Sequence, residues 1–207
     1  VASSKDLDVG TAADQQVRIV LCGPIGSGKT TVGRLLAVRG ATVIEADRLG
    51  HGVLEPNGEA FDDVGARWPG VVVDGRIDRG ALAAIVFADR SQLTELEAMT
   101  HPHIGRRIAD AAKTAGPVVV VELPLTSDIV GNGWRRLVVN APEDLRAMRA
   151  IARGMTPDDV QRRIAVQPSE AEWRAVADWV IVNDGDLATL ERRVEEWWRT
   201  VIQPPAT

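Results

Sequence analysis

With 207 residues, 45% of them apolar and 26% charged, the chain has an ordinary globular composition and enough length for one α/β core carrying an inserted or appended lobe. Its 24 basic and 29 acidic residues leave a net charge of −5 with the signs interspersed, which excludes an electrostatic footprint for nucleic acid or anionic lipid. One cysteine, Cys22, excludes an internal disulfide, and no apolar run approaches the ~18 residues of a membrane span, so a cytoplasmic protein, monomeric or weakly self-associating, is expected.

Val1 to Gln16 are small, polar and acidic, without an apolar period or the basic-then-apolar layout of a signal peptide, and read as a disordered tail. Val17 to Cys22 then form an apolar, β-branched run suited to a buried parallel strand, with Cys22 as core packing. Directly after it stands Gly23-Pro24-Ile25-Gly26-Ser27-Gly28-Lys29-Thr30-Thr31, which meets the P-loop pattern G-x-x-x-x-G-K-[ST] at every defined position. Apolar positions at helical spacing follow from Thr31 to Arg39, completing the strand-loop-helix context that the motif needs. The glycines let backbone N–H groups converge on phosphate oxygens, and the helix adds the positive end of its dipole. Gly26 to Thr31 are therefore expected to hold ATP. Lys29 reaches its β- and γ-phosphates, and the Thr30 hydroxyl serves as a ligand to Mg2+.

Gly40 stops the helix, and a short strand, Ala41 to Ile44, ends in Glu45-Ala46-Asp47. Ligands of open parallel sheets bind at that strand end, which makes Asp47 a candidate general base; it equally suits the N-cap of a helix starting at Arg48. Turn signals from Pro56 to Gly75 mark a lobe rather than a further strand-helix repeat. Asp78 opens a helical stretch, and a longer one spans Ser91 to Thr114, where His101-Pro102-His103 is expected to bend or restart it. The His-x-His spacing lacks companion ligands, so His101 is read as a capping or substrate-side residue rather than a metal ligand. Val118 to Val121 reads as a strand beside the P-loop strand, ending at Glu122, either a Walker-B-like acid or a solvated strand-end carboxylate.

Further strands are expected at Arg136 to Asn140 and Val180 to Val182, with helices over Pro142 to Ile151 and Leu187 to Val201. Trp197 and Trp198 on the last helix suit packing rather than a ligand site. Arg146, Arg149, Arg153, Arg162, Arg163 and Arg174, interleaved with acids, suggest a lid that closes over ATP and adds charge at the transferring phosphoryl group. The strand-helix alternation predicts an α/β fold with a central parallel sheet flanked by helices.

Taken together, the chain from Arg18 to Trp198 resembles the dephospho-CoA kinases. The matching residues are Gly26 to Thr31, Val43 to Asp47, Ile77-Asp78-Arg79 with Leu82 and Ile85 to Phe87, His101-Pro102, Pro124-Leu125, Arg163-Ile164 with Gln167, and Ala177-Asp178 with Val180, Ile181 and Asn183. The resemblance implies a P-loop kinase fold with a core of residues 17–57, 116–145 and 176–203, a helical CoA-binding insertion over 58–115 and an arginine-bearing lid over 146–175. It implies phosphorylation of the 3′-hydroxyl of dephospho-coenzyme A. Asp47 lies beside that hydroxyl, Asp78, Arg79, His101 and Pro124 sit on the substrate side, Arg149 acts in catalysis, and Arg153 and Arg163 hold the nucleotide. Three departures from the family pattern stand out: Glu45 for aspartate, Pro24 for glycine, and Thr126-Ser127-Asp128 after Pro124-Leu125. The last leaves open a kinase with another hydroxyl acceptor or a catalytically weak regulatory paralogue. A GTPase-type switch fits poorly: Asp47-Arg48-Leu49-Gly50 spells D-x-x-G but leaves no room for a switch loop, and no Asn-Lys-x-Asp follows.

Overall fold

The structure, a computed structural model, describes residues 16–123 and 129–204. The readings made on the N-terminal tail, on Pro124 and Leu125 and on Thr126 to Asp128 lie outside those residues.

Five strands form one parallel sheet: β1 (Val17–Cys22), β2 (Thr42–Glu45), β5 (Val118–Glu122), β6 (Arg135–Asn140) and β7 (Trp179–Val182), in the order β2-β5-β1-β6-β7. All five run the same way, because each pair is joined by a crossover long enough to carry a helix. Leu21 pairs with Glu122, and Glu45 with Glu122, so the strand ends at the P-loop, at Asp47 and at Glu122 share one edge. The strands β3 (Val72–Val73) and β4 (Arg76–Ile77) make a separate hairpin. Its two-residue turn is Asp74-Gly75, both with positive φ (49° and 72°), as the twist of a tight hairpin requires.

Side chains alternate across the sheet and build two cores. On one face Val20, Cys22, Val119, Val121 and Val138 pack against α2 (Ala46–Val53), α3 (Phe61–Arg67), α4 (Arg79–Val86) and α5 (Arg90–Lys113). Trp173 of α8 (Glu170–Val176) joins this core. On the other face Ile19, Leu21, Val120 and Val139 meet α1 (Lys29–Val38) and α9 (Leu187–Trp197). Trp197 and Trp198 are buried there, with Trp197 edge-on to Trp179 at 5.6 Å. Burial pushes the Cys22 thiol up to about 11, so this cysteine serves as an apolar packing group. The exposed pair α6 (Glu143–Ala152) and α7 (Pro157–Val166) lies between β6 and α8. Among the described residues no helix is long and apolar enough to cross a membrane.

Two local expectations are corrected. Of the bend or restart expected at Pro102, the restart is overturned: α5 runs through the proline from Arg90 to Lys113. Thr100, Ile104 and Ile108, on both sides of the exposed proline, are buried in the same core, and that packing outweighs one missing backbone bond. The helix after β2 starts at Ala46 with Glu45 as its N-cap, so Asp47 lies inside the first turn and is not the cap.

Candidate active site

The loop after β1 folds back on itself before entering α1. Gly26 (φ 75°) and Gly28 (φ 99°) take left-handed backbone. A Cβ on Gly26 would strike the backbone of Arg146, and one on Gly28 would strike the Asn183 side-chain amide, so neither position has room for a side chain. Asn183, buried at the end of β7, donates from Nδ2 to the Ser27 carbonyl at 2.8 Å. Lys29 Nζ donates to the carbonyls of Gly23 (2.8 Å) and Pro24 (3.3 Å). Burial lowers its pKa, with the Glu122 carboxylate the main opposing influence.

Beside this loop is a cavity of about 240 Å³ lined by Ile25, Gly26, Gly28, Lys29, Thr30, Asp47, Glu122, Arg153, Arg163 and Gln167. Three cations thus face two carboxylates across loop backbone. Thr30 Oγ1 donates to Glu122 Oε1 at 2.9 Å, joining the P-loop to the end of β5. A second cavity of about 360 Å³ lies under α2, α4 and α5. Its apolar lining includes Leu54, Leu82, Val86, Leu93, Leu96, Ile104 and Leu123, and Asp47, His51, Arg79, Glu97 and His101 supply its charged and imidazole groups. Asp47 lines both cavities, and no hydrogen bond or ion pair engages it among the described residues.

Asp47, in the first turn of α2, thus stands between a glycine-rich anion site and an apolar pocket. The dephospho-CoA kinase family model matches residues 17–189. The chain belongs to the dephospho-CoA kinase family. It is 38% identical over 189 residues to the dephospho-CoA kinase of Thermobifida fusca, covering 88% of this chain and 94% of that one. Against the dephospho-CoA kinase of Deinococcus radiodurans it is 42% identical over 188 residues, covering 86% and 89%. Among solved structures it resembles a Thermus thermophilus protein with a TM-score of 0.79 and 34% identity, over 91% of this chain and 99% of that one.

Within this family member, the residues singled out in the sequence fall into two groups. Gly26, Gly28, Lys29, Thr30, Asp47, Arg153 and Arg163 meet at the loop cavity, and Asp47, Arg79 and His101 meet at the apolar one. Ser27 is fully buried and Thr31 half-buried, and neither lines the loop cavity. Arg149 does not reach that cavity either: its guanidinium donates to the carbonyls of Asn183 (2.9 Å) and Gly185 (3.5 Å) at the end of β7. Arg153, one helical turn later, occupies the cavity wall instead. Asp78 is spent on capping α4, its Oδ1 accepting from Gly80 N–H (2.9 Å) and Ala81 N–H (3.0 Å), and it lines neither cavity. Arg162 and Arg174 pair locally with Asp159 and Glu170 on exposed faces.

Glu122, Gln167, His51 and Glu97 complete the two walls. Glu122 is the strand-end acid whose two sequence readings stood level, and its contact with Thr30 places it at the loop. Glu97 and His101 are four residues apart on α5, a spacing that puts both on one face and could have flagged Glu97. Gln167 and Asn183 were among the residues that carried the resemblance, but nothing local shows that they touch the loop, since those contacts span more than a hundred residues.

Proposed function

We propose that the chain transfers the γ-phosphoryl group of ATP to the 3′-hydroxyl of dephospho-coenzyme A, giving coenzyme A and ADP. The observation that carries this reading is that Asp47 belongs to both the loop cavity and the apolar cavity, with its carboxylate unengaged among the described residues. Asp47 is the described residue that lines both, so a phosphate tail on one side and an alcohol on the other meet beside it.

In this reading the free loop amides and Lys29 bind the phosphate chain, and Arg153 and Arg163 neutralise charge on the equatorial oxygens. Asp47 aligns the attacking hydroxyl and takes its proton as the new P–O bond forms and the bond to ADP breaks. Arg79 and His101 orient the polar part of the acceptor, while the leucine-rich wall of residues 58–115 takes its apolar part. Residues 146–175 act as the lid.

A magnesium ion suits the donors on this wall, because Thr30 and Glu122 offer hard oxygen ligands 2.9 Å apart and such an ion takes its remaining ligands from phosphates and water. Thr30, with Glu122 behind it, would hold the ion, which screens the phosphate charge when bound. The acidic balance of −5 and the buried lone thiol support a reducing, cytoplasmic setting without a nucleic-acid partner.

The test is ADP release from Mg-ATP with and without dephospho-CoA, for the wild type and Asp47→Asn. We expect acceptor-dependent release that falls by about two orders of magnitude or more in the variant, with ATP affinity kept. Release that ignores dephospho-CoA, or survives the substitution, would refute the reading.

A further inference from the structure

The side chain of Gln167 is hydrogen-bonded to the P-loop itself: its Oε1 accepts from the backbone N–H of Ile25 at 2.9 Å. The Ser27 N–H is taken by the Pro24 carbonyl at 3.3 Å, whereas the N–H groups of Gly26, Gly28, Lys29 and Thr30 have no acceptor among the described residues. Gln167 therefore occupies one loop amide, fixes the orientation of the Ile25–Gly26 peptide, and leaves the neighbouring amides open to an anion.

The same residue is the end of α7. It forms the C-cap with extended backbone (φ −85°, ψ 154°), Pro168 blocks continuation, and Ser169 starts α8 through a capping box with Glu172. The helix α8 is anchored in the core by Trp173, which is 1% exposed. By contrast α7 buries only Val160 among its residues, so little apolar area holds it in place. Arg163 precedes Gln167 by four residues and lines the same cavity.

Building on the ATP-kinase reading, we propose that Gln167 is a positioning residue that sets the P-loop and Arg163 in a single register, so that phosphates meet the loop amides and the lid cation together. Neither group is reached by Gln167 through chemistry of its own; it acts through the Ile25 amide.

The experiment compares Gln167→Met, which keeps the length but lacks the acceptor, with Gln167→Glu, which keeps an acceptor oxygen. Amide exchange at Ile25 is followed by NMR without nucleotide, and KM and kcat are measured for both substrates. In Gln167→Met the Ile25 N–H loses protection and KM for ATP rises about tenfold, as loss of one backbone-directed hydrogen bond allows. KM for dephospho-CoA stays within about twofold, and the melting temperature within about 3 °C, because Gln167 is only half-buried and Gln167→Met keeps its apolar length. In Gln167→Glu the Ile25 protection returns. Unchanged Ile25 exchange in Gln167→Met, or a fall in melting temperature and kcat with both KM values unmoved, overturns the proposal. The exchange readout and ATP affinity by calorimetry need no acceptor, so a wild type that fails to phosphorylate dephospho-CoA would sink the kinase assignment while leaving Gln167 to be judged separately.

Discussion

Burial lowers the Lys29 pKa below its ordinary 10.5, with Glu122 opposing. A cation depressed in this way weakens the fold at every pH below its folded pKa, and the effect fades as pH rises toward the unfolded value. The Lys29→Met protein without nucleotide should therefore melt no lower than the wild type at pH 7. Calorimetry should show the gap closing as pH approaches that of a free lysine, while turnover falls by about a hundredfold or more through loss of the phosphate clamp. A clear fall in melting temperature at pH 7 would mean that the bonds to the Gly23 and Pro24 carbonyls outweigh desolvation. Lys29 and Asp47 were both legible, one from a contiguous motif and the other from its place at a strand end. Arg149 was expected in catalysis and Arg153 at the nucleotide; Arg153 lines the loop cavity while Arg149 faces the end of β7, since a repeat of arginines gives no sign of which faces which.

Helix α2 carries Asp47 at its start and Gly52 near its end, and what rests on Gly52 is the guanidinium of Arg107 from α5. Arg107 in turn grips Glu59 with two bonds, one of them from Nε at 3.0 Å. The Arg107 hydrogen bond holds the Glu59 carboxyl below its ordinary 4.5. A depressed carboxylate contributes stability that is present above pH 4.5 and is lost as pH falls through the folded value. Both side chains are partly exposed (31% and 40%), so the contribution is at most about 1 kcal/mol. Glu59→Gln should then melt slightly lower than the wild type at pH 7, with the difference shrinking as pH falls through the folded value of the wild-type carboxyl, as thermal scans across pH would show. Gly52→Ala should give the same pH profile, because its Cβ displaces Arg107; a wild-type profile there would disconnect Gly52 from the ion pair. The helices themselves were readable from apolar spacing, but their ends depended on which residues the packed neighbours demanded, as Pro102 and Glu45 illustrate.

The molecule as a whole sets a cationic loop cavity beside an apolar one, and a ligand that spans them must stabilise the folded state by mass action. Mg-ATP at about a hundred times its dissociation constant should add about 2.7 kcal/mol, visible as a rise in melting temperature. Chelation of the magnesium with ATP still present should remove most of that rise; an unchanged rise would take the metal out of nucleotide binding. Strand order decides that these groups meet at all. Because β5 lies between β2 and β1, Glu122 comes to Thr30, and because β7 is followed by Asn183 at the same edge, a residue far along the chain supports Ser27. The chain by itself determined the parallel sheet, the phosphate loop and the acid after β2, since apolar runs, glycine spacing and strand-end position are all local patterns. Only the tertiary structure decided that Gln167 holds the loop, that Arg149 turns to the end of β7 and that Asp47 borders two cavities. Those facts depend on contacts between segments distant in sequence, and local periodicity carries no information about which distant segments meet.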